Sequence, residues 1–129
     1  MAEGNIEMAR SWLDRWNRGE RTLPANEIHE DVEVVSRFRP EPYRGMEGIR
    51  LWTAEIDEHF EDWHIVVEDW RDVGEDVVAL GKIELRGRSS AVQFDQPAGV
   101  VIEIRKGKLA RLRLFNSHKE TLEAAGLSE

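Results

Sequence analysis

The chain has no cysteine among its 129 residues, so disulfides, thiolate metal sites and thiol nucleophiles are all excluded. That absence fits a reducing compartment, and a cytoplasmic location is the expectation. No apolar run approaches the roughly 20 residues that a membrane-spanning helix needs, which argues against a membrane protein. The start, Met1-Ala2-Glu3-Gly4-Asn5, lacks the basic and apolar regions of a signal peptide. The four histidines are dispersed, and neither His59 nor His64 has an i, i+4 partner or clustered carboxylates, so no metal is expected. A glycine-rich phosphate cradle is missing too: Gly45-Met46-Glu47-Gly48 reads as a loop exit and helix start. No cofactor is implied.

Charge is plentiful but lopsided. The net charge is -8, and residues 1–70 carry 8 basic and 17 acidic side chains against 10 and 9 in residues 71–129. An acidic surface repels phosphate backbones, so nucleic-acid binding is not expected; the basic cluster Arg105, Lys106, Lys108 reads as a solvated turn. The length and the 40% hydrophobic content fit one compact domain over residues 1–129.

Ile6, Ala9, Leu13 and Trp16 fall on one helical face, with Asn5 as a possible cap and Arg18-Gly19 as the stop. A short helix is predicted from Pro24 to His29 and a first strand at Val32–Val35. Pro40 and Pro42 keep Arg37–Gly45 out of helix, after which Ile49, Trp52, Ile56 and Phe60 form a second apolar stripe. Glycine-bearing turns then divide residues 63–117 into four strands: Trp63–Arg71, Val77–Leu85, Ala91–Arg105 and Leu109–Asn116. Pro97 predicts a bulge or an edge within the third. Ser117-His118-Lys119-Glu120 has capping-box spacing and opens a last helix, which Gly126 stops. Helices first and strands later is an α+β order.

The last hairpin admits two readings. A two-residue turn at Lys106-Gly107 pairs Ile104 with Leu109 and puts Ile102 and Ile104 on one face with Arg111, Arg113, Phe115 and Ser117. A three-residue turn instead groups Ile102 and Ile104 with Leu112, Leu114 and Asn116 and sets Glu103 across from Arg111. Binary patterning alone mildly favours the second.

Arg44-Gly45-Met46-Glu47-Gly48-Ile49, the strand from Gly107-Lys108-Leu109 to Phe115-Asn116-Ser117, and the closing Leu122-Glu123-Ala124-Ala125-Gly126-Leu127 together resemble the nuclear transport factor 2-like superfamily, particularly its polyketide-cyclase (SnoaL-like) branch. The resemblance implies a cone-shaped curved antiparallel sheet wrapped by N-terminal helices, a cystatin-like α+β barrel with an apolar pocket. It also favours the first hairpin reading, with Arg113, Phe115 and Ser117 inward and Val101, Leu112 and Leu114 on the convex face. Exposed aliphatics there would pair two copies into a homodimer.

The implied function is binding of a hydrophobic small molecule in a pocket walled by Trp16, Phe38, Trp52, Phe60, Ile102 and Phe115, with Arg113 orienting a polar group. Five tryptophans suit such a wall, and filling the core is their plainer role. The alternative is an isomerase, cyclase or hydrolase using Glu84 or His29 as base. Asp69, His118 and the hydroxyl of Tyr43 are further candidates; the plainer readings are a solvated strand face for Glu84, a partly buried, hydrogen-bonded side chain for His29 and an exposed helix start for His118. The pocket aspartate of the family's cyclases falls on Ser117 here, and a serine hydroxyl is no carboxylate base.

Overall fold

The computed structural model describes residues 2–20, 25–36, 39–87 and 93–127. Helix α1 (Ala2–Asn17) leads through a single 3-10 turn (Ala25–Glu27) into β1 (Ile28–Val35), and the two-residue β2 (Tyr43–Arg44) precedes helix α2 (Gly45–His59). Four strands follow, β3 (Phe60–Val73), β4 (Asp76–Gly87), β5 (Gln93–Arg105) and β6 (Lys108–Phe115), and then helix α3 (His118–Ala124).

The strands form one sheet in the order β2-β1-β6-β5-β4-β3. It is curved and does not close, because β2 and β3 remain edges. Hairpins make every contact antiparallel except one: β1 lies parallel to β6, with Val34 beside Leu112. Bulges in β3, between Phe60 and Asp62 and between Val67 and Asp69, supply local bending. Pro97 sits opposite Lys82 in the part of β5 that extends beyond the end of β6, so its missing N–H removes no ladder bond on that side.

Alternation sorts side chains to the two faces. Val77, Ala79, Ile83 and Leu85 of β4 point to the main core with Val100, Ile102 and Ile104 of β5. Val78, Leu80 and Val101 point the other way, where Leu122 of α3 covers them. Helices α1 and α2 pack on the concave side and α3 on the convex side.

The last hairpin corrects the expected faces. Lys106 and Gly107 both take positive φ, 54° and 75°, making the two-residue turn, and Arg105 pairs with Lys108 and Ile104 with Leu109 as that turn requires. Glu103, however, pairs with Arg111, so Ala110 is an extra residue in β6. One inserted residue reverses parity for everything beyond it. Leu112 and Leu114 therefore face inward with Ile102 and Val100, while Arg113 and Phe115 join Val101 on the convex face.

Local chemistry explains the helix ends. Gly19 and Gly126, with φ of 92° and 79°, stop α1 and α3, and the N–H groups of Glu20 and Leu127 reach back to the carbonyls of Arg15 and Leu122. Ser117 caps α3, its Oγ accepting from the Glu120 N–H at 3.1 Å. Two expectations fail here. Asn5 lies inside α1, not at its start, and donates to the Glu75 carbonyl at 2.8 Å. The short helix at Pro24–His29 reduces to the 3-10 turn, because Ile28 and His29 already belong to β1 beside β6. Residues 21–24 lie outside the described residues.

Candidate functional site

A cavity of about 90 Å³ lies between α1, α2 and the concave face. From α1 come Ala9, Trp12, Leu13 and Trp16, spaced i, i+3, i+4, i+7 on the buried stripe, and from α2 come Ile49 and Trp52. The sheet contributes Val34 of β1, Ile65, Val67 and Trp70 of β3, and Ala79 of β4. Val100 and Ile102 of β5 and Leu109, Leu112 and Leu114 of β6 complete the wall. All of these lining residues are apolar.

Indoles fix the shape of the wall. Trp16 and Trp52 stack with centroids 4.9 Å apart at 27°, and Trp63, buried behind them, meets both edge-on at 5.7 and 6.3 Å. Such offset-stacked and edge-to-face contacts hold rings in place beyond the effect of burial. Trp12 is held differently: its Nε1 donates to Glu27 Oε1 at 3.0 Å, and Arg15 Nη2 donates to both oxygens of the same carboxylate at 3.1 and 3.3 Å. The indole N–H and the guanidinium together keep the Glu27 carboxyl below the usual carboxylate range. The C-terminal end of α1 is fastened by Asn17, whose amide donates to the Ile65 carbonyl at 2.8 Å and accepts from the Ile65 N–H at 3.1 Å.

Of the expected pocket residues, Trp16, Trp52 and Ile102 line the cavity. Phe60 packs against the core but not on the cavity, and Phe38 lies outside the described residues. Arg113, Phe115 and Ser117 are not at the cavity: Phe115 packs with Val78, Leu80, Val101 and Leu122 on the other side of the sheet, and Ser117 caps α3. Arg113 Nε stands 3.4 Å from Glu103 Oε2, an ion contact without hydrogen-bond geometry.

The expected bases are elsewhere as well. Glu84 belongs to the convex face, 3.9 Å from Lys82 Nζ, and is not brought near His29, whose Nδ1 accepts from the Asp31 N–H at 3.0 Å. Asp69 pairs with Arg71, and His118 Nε2 meets the Gly81 carbonyl at 2.8 Å. Tyr43 is fully buried under the Arg39 guanidinium, 3.9 Å from its ring, and its hydroxyl donates to Glu55 at 2.9 Å. Burial first, and then that carboxylate, push the phenol up to about 12. Among the described residues no group of three or more histidines and carboxylates is placed to hold a metal.

The convex face corrects the expectation of exposed aliphatics. Leu112 and Leu114 are on the cavity, and Val101 is 1% exposed beneath α3. An ion-pair ladder crosses that face instead: Arg44 to Glu33, Glu33 to Arg111, and Arg105, Arg111 and Arg113 all to Glu103, with Arg105 reaching Asp76 at 2.8 Å. Sequence reasoning missed Leu112, Leu114 and Trp70 as wall residues. Binary patterning carried the signal for the two leucines.

A family model described as a SnoaL-like domain matches residues 9–112. No curated protein matches the chain. Among solved structures, a protein with a ketosteroid isomerase-like fold from Catenulispora acidiphila DSM 44928, in complex with trimethylamine, is 18% identical over 94% of this chain and 93% of that one, with a TM-score of 0.72. An NTF2-like protein of unknown function from Burkholderia pseudomallei K96243 is 12% identical over 92% and 95%, at 0.78. TerC, co-crystallised with polyporic acid, is 17% identical over 95% and 98%, at 0.77. At these identities the likeness shows the fold.

Proposed function

Because the chain belongs to the SnoaL-like domain family, we propose that it is a small-molecule-binding protein whose hydrophobic ligand occupies the cavity between α1, α2 and the sheet. One observation carries this reading: the described wall is aromatic and aliphatic throughout. Concave, mostly apolar enclosures of this kind are where small molecules bind. The trimethylamine and polyporic acid complexes of two structural neighbours support a ligand-binding role. The isomerase, cyclase or hydrolase reading needs a titratable group at the reacting atoms. Glu84 and His29, the expected bases, have other partners away from the wall, so binding is the reading adopted.

Four wall residues are tryptophans, so their fluorescence reports occupancy. Titration with uncharged apolar probes is expected to give a saturable change that Arg113→Ala and Glu84→Gln leave intact. Absence of saturation with every probe, or its loss in either variant, would end the proposal. The same proposal takes the protein as cytoplasmic, in keeping with its cysteine-free, acidic composition. It also keeps the homodimer through the convex face, now on polar grounds: alternating Arg and Glu can be self-complementary about a two-fold axis. Light scattering at low and high salt tests this, and a monomer in both removes the dimer.

A further inference from the structure

Resting on the binding reading above, we infer that the cavity selects compact, uncharged, non-polar molecules no larger than a single ring and rejects both ionised rings of that size and fused-ring molecules. The first argument is size. The cavity volume is about 90 Å³, with an opening to solvent, whereas an apolar cavity of about 150 Å³ is known to take benzene. A single ring already strains that void, and a fused bicycle must push the walls much further apart.

The walls resist that. Stacking against Trp52 and the edge contact with Trp63 hold Trp16 in place. Trp12 is tied through its N–H to Glu27, and Asn17 fastens the end of α1 to both backbone groups of Ile65. Admitting a second ring means moving α1 and breaking these bonds, and overpacking a filled core is costly.

The last argument is charge. An ion buried without a partner keeps its full desolvation cost. Glu27 is already held by Trp12 and Arg15, and Arg111 and Arg113 pair with Glu103 on the other side of the sheet. The ring faces are partly spent: Trp16 and Trp52 turn one face each to the other, and Trp70 already carries the Arg10 guanidinium 5.6 Å from its ring.

Toluene, naphthalene, benzylamine and benzoate form the discriminating series, titrated by tryptophan fluorescence and by calorimetry at neutral pH. Toluene is expected to bind at least about fivefold more tightly than naphthalene, the low end of an overpacking penalty, and by a still larger factor than either ion. Ala79→Leu, which projects into the cavity, is expected to abolish toluene binding and so locate it. Naphthalene binding as tightly as toluene, either ion binding within tenfold of it, or toluene binding unaffected by Ala79→Leu would overturn the inference while leaving small-molecule binding standing. Failure of all four to bind would remove both.

Discussion

Filling the cavity from opposite walls tests its reality without relying on any ligand. Ala79 projects into it from the centre of β4 and Ala9 from α1, and the two are 3% and 1% exposed. Leucine adds three carbons to alanine, worth about 2.4 kcal/mol at about 0.8 kcal/mol per buried methylene. The void gives an independent figure: at about 24 cal/mol per Å³, 90 Å³ corresponds to about 2 kcal/mol. Ordering the leucine rotamer costs about 0.5–1 kcal/mol, leaving a net gain of about 1–1.5 kcal/mol for Ala79→Leu or Ala9→Leu alone. With an unfolding entropy of about 2.1 cal/mol/K per residue, that gain raises Tm by about 4–6 °C in a chain of 129 residues. The double variant decides the matter, because both side chains compete for one space: its Tm is expected to fall below the sum of the single shifts, with a coupling of about 1–3 kcal/mol. Differential scanning calorimetry on the four proteins measures all of this. Two single variants that each lower Tm, or two stabilising effects that simply add, would refute the existence of one shared void.

Three further outcomes follow from the described contacts. The chain has one tyrosine, so its phenolate absorbance is unambiguous: in the folded protein the Tyr43 band is expected to appear only near pH 12, against about 10 after denaturation. A raised folded value means that Tyr43 favours the native state below pH 10 and loses this contribution as pH climbs through the folded value; titration near 10 in the native protein would contradict the burial account. Glu27 has the opposite sign. Its depressed value stabilises the fold above the ordinary glutamate value of 4.5, a contribution that fades as pH falls through the folded value, so Glu27→Gln should flatten the acid limb of a Tm–pH profile, and an unchanged limb counts against the Trp12–Glu27–Arg15 cluster. At Gly99 an added Cβ would come within 2.0 Å of Thr121 Oγ1, so Gly99→Ala should lift α3 from the convex face, cost about 1–3 kcal/mol, and raise hydrogen exchange in residues 118–127; protection equal to wild type there would show that α3 is not packed on β5 as described.

Much of this was legible in one dimension. The stripes at Ile6, Ala9, Leu13, Trp16 and at Ile49, Trp52, Ile56 appear as the buried faces of α1 and α2, or just beside them, because helical periodicity is a local property that survives in any tertiary context. The turn at Lys106-Gly107 and the Ser117 cap were readable for the same reason: φ preference and capping depend on a few neighbouring residues. Trp16, Trp52 and Ile102 were placed on the wall from pattern and resemblance together.

Element order and apolar stripes thus follow from short-range periodicity and turn chemistry, and the fold family was legible as a resemblance carried by residues 44–49 and 107–127. Which residues meet in the cavity depends on contacts between segments far apart in the chain. The turn alone puts Arg113 and Phe115 inside, and the single extra residue Ala110, invisible as a pattern, turns them out and brings Leu112 and Leu114 in. The parallel pairing of β1 with β6 and the seating of α3 over Gly99 are likewise contacts between distant segments, fixed by what each surface can bury and not by what any short segment prefers.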